Sequence, residues 1–266
     1  MINTKVTHVY SSLSFHKSGQ GEKVLLLFHG FGQYKQIFNE LTSELQSHYT
    51  FYSFDLFFHG TSEWNHGEQA LEKETWRAIM QQFLSENKIE KFSLLGFSLG
   101  GKFALATLEL FPEKVERIFL LAPDGIKTNR WYSLATYPLL LRRLFKSMIL
   151  KPNRLHKIAG ALQKLNLVDK GLLRFAESQM DTQAKRERVY YSWVVFRHLK
   201  FDMRTISHLI NNNSIKLTLI VGRYDKIITV KNMDRLLRYV KNHQLEILET
   251  GHNGTIPKSI SLIKSV

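Results

Sequence analysis

Short apolar runs that end in a turn and give way to helical spacing recur along this chain, and the alternation leaves few folds open. Lys23-Val24-Leu25-Leu26-Leu27-Phe28 is such a run, followed by the turn His29-Gly30-Phe31-Gly32. A strand that is apolar without a break is buried on both faces. Tyr34, Ile37, Phe38, Leu41 and Leu45 then follow at helical spacing. Tyr49–Phe54 is the next strand, ending at Asp55, and Trp76, Ile79, Met80, Phe83 and Leu84 mark the next helix. Phe92–Leu95 leads to a helical run from Leu99 to Phe111, stopped by Pro112, and Arg117–Ala122 is a further strand. Val6–His16 alternates loosely and predicts one or two edge strands. This pattern predicts an α/β fold, with a mostly parallel central sheet and helices on both faces.

The alternation breaks near Gly125 and resumes with Ile215–Val221. A helix (Val230, Met233, Leu236, Leu237, Val240), the strand Leu245–Leu248 and a short helix complete the chain. Between the two sheet stretches, Leu155, Ile158, Ala159, Leu162 and Leu165 are helically spaced, as are Val189, Tyr190, Trp193 and Val194. The expected organisation is one α/β core, residues 1–125 and 210–266, with a helical insertion at 126–209. The formal net charge is +14. Between Lys127 and Arg204 there are 17 Lys and Arg against 5 Asp and Glu, while the rest of the chain is nearly balanced. The basicity therefore belongs to the insertion, which attracts anions or simply presents a solvated face.

The chain has no cysteine, which excludes disulfides, thiolate metal sites and a cysteine nucleophile. The N-terminal residues carry a charge but no apolar stretch of signal-peptide type, and no window approaches a membrane span. A cytoplasmic location is the expectation.

Gly96-Phe97-Ser98-Leu99-Gly100-Gly101 stands between a strand and a helix. A serine at such a turn is held out on a strained backbone, with the next N–H free for an oxyanion. Ser98 needs a base, the base needs a carboxylate, and the intermediate needs N–H donors. His252 lies just past the last strand, and Asp225 just past the strand before it. Asp124 also follows a strand and competes as the acid. The N–H groups of Phe31 and Leu99 are the candidate oxyanion donors. Strand ends are where a parallel sheet gathers such groups.

These residues resemble the α/β-hydrolase family over about 20–125 and 210–266. The order Ser98, Asp225, His252 is the family's order of nucleophile, acid and base, which favours Asp225 over Asp124. His29-Gly30-Phe31-Gly32 resembles its HGxG oxyanion turn. Asp55-Leu56-Phe57-Phe58-His59-Gly60-Thr61-Ser62 resembles its D-x-x-G-x-G-x-S loop, with Phe58 in place of the first glycine. The insertion corresponds to the family's helical cap. The resemblance implies a serine hydrolase acting on carboxylic esters through an acyl-enzyme on Ser98, without cofactor or metal. The alternatives are a thioesterase, an acyltransferase or a C–C bond hydrolase on the same triad, or a non-enzymatic binding protein of this fold.

Gly96-x-x-x-x-Gly101-Lys102 also has P-loop spacing, but Phe103 stands where Ser or Thr would hold magnesium. His59 and His66 lack a third ligand at suitable spacing, so no metal site is expected. The expected partner is a small-molecule acyl substrate, with Trp131, Tyr132 and Trp193 as candidate apolar contacts. Tyr137–Leu150 predicts a helix whose apolar residues suit the lining of an acyl pocket or packing on the core, with Arg142, Arg143 and Lys146 facing outward; an apolar helix with a basic face also suits an anionic membrane surface. Nucleic acid is not expected, because the basic segment lacks a reading motif.

Overall fold

The structure, a computed structural model, describes residues 3–8, 11–127, 130–150 and 180–265. The predicted helical run at 155–165 and the side chain of Trp131 lie outside the described residues. Eight strands form one sheet: β1 (Asn3–His8), β2 (Ser11–Ser18), β3 (Lys23–Phe28), β4 (Tyr49–Phe54), β5 (Phe92–Phe97), β6 (Val115–Leu121), β7 (Lys216–Gly222) and β8 (His243–Leu248). Their order is β1-β2-β4-β3-β5-β6-β7-β8. β1 pairs antiparallel with β2, and β2 with β4. Every other pairing is parallel.

Helices among the described residues are α1 (Asn39–Glu44), α2 (Lys73–Glu86), α3 (Gly100–Leu110), α4 (Arg130–Thr136), α5 (Leu139–Leu150), α6 (Gln183–Val195), α7 (Met203–Asn212), α8 (Val230–Leu237) and α9 (Thr255–Lys264). The run from Tyr34 to Leu45 is not one helix. A 3-10 turn, Lys35–Phe38, precedes the short α1. The backbone N–H of Lys35 is drawn instead to Asp55 Oδ1 at 2.8 Å.

The chain divides into two compact units. One holds Met1–His66, Glu72–Lys127 and Leu199–Val266, and the other Gly67–Leu71 and Thr128–His198. In the first, the strands' period of two sorts side chains between two cores. Leu25, Leu27, Leu95 and Phe97 pack with Leu41 of α1 and Ile256 and Ile263 of α9. On the other face Phe28 stacks on Phe54 with ring centroids 5.2 Å apart, and Phe103 meets Trp76 edge-on at 5.1 Å. Each fully buried side chain of this size is worth about 1.5–3 kcal/mol. The Trp76 indole N–H donates to Thr107 Oγ1 at 3.0 Å, so its polar edge is satisfied inside the core.

In the second unit Phe145 of α5 packs on Tyr190 and Trp193 of α6, at 5.3 and 5.6 Å between centroids. The strap Gly67–Leu71 is tied in by Lys146 Nζ on Glu68 Oε1 at 2.5 Å, and by the Leu71 N–H on the Val195 carbonyl at 2.8 Å.

Candidate active site

Strand register decides which turns emerge together. Phe28 of β3 is level with Gly96 of β5. Phe31 and Leu99 stand at equal distances along the chain beyond that pair. Gly222 of β7 is level with Leu248 of β8, so Asp225 and His252 also leave the sheet side by side.

Ser98 sits at φ +50°. The left-handed region costs a residue with a side chain about 1–2 kcal/mol. Three backbone bonds hold it there. Its N–H donates to the Leu121 carbonyl at 3.0 Å, and its carbonyl accepts the N–H groups of Gly101 and Asp124, each at 2.8 Å. The helix α3 must then start hard against β3. A Cβ at Gly100 would lie 2.0 Å from the Phe28 carbonyl oxygen, so only glycine fits.

The Ser98 hydroxyl lies 3.0 Å from His252 Nε2, and His252 Nδ1 lies 2.6 Å from Asp225 Oδ2. A carboxylate only accepts, so Nδ1 carries the ring proton and Nε2 is left to accept from the serine. Asp225 is buried, and its Oδ1 accepts the N–H groups of Ile227 and Ile228 at 2.8 and 2.9 Å. One carboxyl oxygen thus shapes the turn while the other faces the imidazole. The Phe97 ring backs that imidazole at 5.1 Å between centroids, a contact the sequence reading missed. A chain so arranged can draw a proton off a serine hydroxyl as its oxygen attacks an electrophile.

The competing acid is engaged elsewhere. Asp124 Oδ2 lies 3.4 Å from the buried Lys102 Nζ, and its Oδ1 accepts the N–H of Gly125 at 2.7 Å. The same ion pair turns Lys102 toward a carboxylate, which a phosphate-binding lysine could not spare.

The turn at 29–32 is laced to the loop at 55–62 by two histidines. The Leu56 N–H donates to His29 Nε2 at 3.0 Å, and His29 Nδ1 donates to the Gly30 carbonyl at 2.7 Å. The Gly32 N–H donates to His59 Nε2 at 3.0 Å, and His59 Nδ1 donates to the Phe57 carbonyl at 3.0 Å. An Nε2 that accepts an N–H leaves the proton on Nδ1, so both rings are neutral braces. No hydrogen bond engages the N–H of Phe31 or Leu99 among the described residues. Phe58, the departure from the family's loop pattern, adopts φ +68° and so keeps the backbone a glycine would give. Beneath the loop, Asp55 accepts from Lys35 Nζ at 2.7 Å and from the Thr61 N–H at 3.1 Å.

Tyr132 and Trp193 lie in the second unit and engage each other. The Tyr132 hydroxyl donates to the Trp193 carbonyl at 2.9 Å, with ring centroids 5.3 Å apart.

The mostly parallel eight-stranded sheet, with helices packed on it, is that of an α/β hydrolase. The chain belongs to the α/β-hydrolase fold family, whose sequence profile matches residues 23–258. It is 33% identical over 104 residues to the pimeloyl-[acyl-carrier protein] methyl ester esterase of Klebsiella pneumoniae, 39% of this chain and 38% of that protein. It is 23% identical over 238 residues to monoacylglycerol lipase ABHD6 of Homo sapiens, 86% of this chain and 69% of the lipase. The match to an uncharacterized protein of Mycobacterium bovis spans only 37% of that relative's length. Among solved structures, a thermophilic esterase from Thermogutta terrifontis superposes with a TM-score of 0.72 at 18% identity, covering 100% of this chain and 97% of the esterase. That likeness is one of fold. Among the described residues no helix is long and apolar enough to cross a membrane.

Proposed function

We propose that this protein is a serine hydrolase that cleaves carboxylic esters through an acyl-enzyme on Ser98. The observation that carries the reading is the unbroken relay from Ser98 Oγ to His252 at 3.0 Å and on to Asp225 at 2.6 Å. The names of its relatives, an esterase and a lipase among them, support an ester as the bond cleaved.

In this reading His252 Nε2 takes the Ser98 proton as the oxygen attacks the ester carbonyl carbon. Asp225 holds the imidazole in its Nδ1–H form and stabilises the imidazolium. The N–H groups of Phe31 and Leu99 receive the oxyanion, and one such donor is worth about 3 kcal/mol of barrier. The C–O bond of the ester then breaks, and the leaving oxygen takes the proton from His252 and departs as an alcohol. Water, giving a proton to His252, attacks the acyl-enzyme. The acid leaves, and Ser98 recovers its proton. Residues 126–209 are, in the same reading, the family's cap insertion.

A thioesterase, an acyltransferase or a C–C bond hydrolase uses the same relay with a different acyl donor or acceptor. A panel of p-nitrophenyl esters, acyl thioesters and a ring-cleavage dienone separates them, with fastest turnover expected on the esters. A fluorophosphonate probe should add its mass to Ser98, and Ser98→Ala should abolish labelling. Folded protein that takes up no probe and turns over no member of the panel overturns the enzyme reading in favour of a binding protein.

A further inference from the structure

The helix α5 does not present itself as its sequence suggests. Its buried side holds Phe145 and Ile149, while Leu139, Leu140 and Leu144 are 63%, 76% and 46% exposed. Leu134 of α4 is 47% exposed. Among the described residues, every strongly exposed leucine lies in these two consecutive helices. Leu140, Arg143 and Leu144 share a face by helical spacing, and Arg143 is exposed among the leucines. Monomeric proteins rarely leave such apolar residues clustered without a partner.

The chemistry of that partner is set by charge. From Lys127 to Val168 the sequence holds nine Lys and Arg and no Asp or Glu. A protein surface with a mixed charge pattern would gain little from so one-sided a stretch. A sheet of anionic head groups over hydrocarbon matches both parts, since leucines enter the acyl boundary while long cationic side chains reach back to phosphates. We propose that the exposed face of α4 and α5 docks this protein onto an anionic lipid surface, with Leu140 and Leu144 inserted and Arg143 at the head groups. Docking is peripheral. It does not rest on the catalytic reading and is tested without turnover.

The experiment is co-sedimentation of the full chain with vesicles of phosphatidylcholine, plain or with about one-third phosphatidylserine. The wild type should pellet with the anionic vesicles at low salt and stay in solution with the neutral ones. Raising the salt to physiological strength should weaken binding by about tenfold. Leu140→Glu with Leu144→Glu should lower anionic-vesicle binding by about tenfold or more at low salt. Leu140→Ala with Leu144→Ala, which adds no charge, should lower it less, and both pairs should melt as the wild type does. No pelleting at low salt, equal pelleting with neutral vesicles, or pelleting that survives both leucine pairs overturns the proposal. So does sedimentation as a dimer without lipid that the alanine pair dissolves, because the face would then be a self-association surface.

Discussion

Phe28 and Gly96 stand level in the parallel ladder between β3 and β5, and the turn that bears Phe31 and the turn that bears Ser98 therefore leave the sheet together. The start of α3 presses Gly100 onto the Phe28 carbonyl, which leaves no room for a Cβ. The backbone that exposes Ser98 is thus held by the neighbouring strand as much as by its own.

Ser98→Ala and Asp225→Asn should each lower kcat by about 10⁴-fold, the first by removing the attacking oxygen and the second by releasing the imidazole from its Nδ1–H form. Asp124→Asn should be far milder, because that carboxylate faces Lys102 and not His252. Steady-state kinetics on a soluble ester check all three. An Asp124→Asn loss as large as that of Asp225→Asn would displace Asp225 as the orienting acid.

The buried pair Lys35–Asp55 gives a stability that depends on acid. Burial alone raises the Asp55 carboxyl, but the Lys35 ammonium and the N–H groups of Lys35 and Thr61 outweigh it, and the net direction is below the ordinary value. The folded chain therefore releases this proton more readily than the unfolded one. The stabilisation is complete above the unfolded value of about 4 and is lost as pH falls through the lower folded value. Asp55→Asn should remove this part of the acid dependence and, by leaving a buried ammonium unpaired, cost about 3–5 kcal/mol near neutral pH. Urea melts between neutral and acid pH test it, and an unchanged acid slope in the variant would contradict it.

Phe58 at φ +68° bears a left-handed backbone with a side chain attached. Phe58→Gly and Phe58→Ala both discard the ring, so the difference between them isolates the backbone. The glycine variant should be the more stable of the two by about 1–2 kcal/mol. Equal melting temperatures would mean that the loop relaxes out of this conformation.

His59 braces the Gly32 N–H through Nε2. His59→Leu removes the acceptor and should slow fluorophosphonate labelling of Ser98 by about tenfold, since the turn carrying the Phe31 N–H loses its support. His59→Gln, whose side-chain carbonyl can accept the same N–H, should recover part of the rate. Equal labelling by all three proteins would separate this brace from the oxyanion turn.

The strands were legible because a parallel sheet buried on both faces needs nearly continuous apolar runs: Val24–Phe28 is unbroken, and Tyr49–Phe54 and Phe92–Phe97 are interrupted only by the small residues Thr50, Ser53, Ser93 and Gly96. The loop at 55–62 was less so. Its pattern marked Phe58 as foreign, yet the backbone is glycine-like because His59, Gly60 and Thr61 are fixed by their own hydrogen bonds and steric limits. A Cβ at Gly60 would lie 2.1 Å from the Asp55 carboxylate, so the loop has no alternative course there.

Spacing along the chain was enough to put Ser98, Asp225 and His252 at strand ends, because turns follow strands and each strand declares itself by local burial. Which acid reaches the imidazole was not local. Asp124 and Asp225 both follow strands, and Lys102 captures the first while the register of β7 and β8 delivers the second. Likewise the periodicity of α5 gave it two faces but not their directions. Phe145 settles that by packing on Tyr190 and Trp193, a contact between residues that only folding brings together.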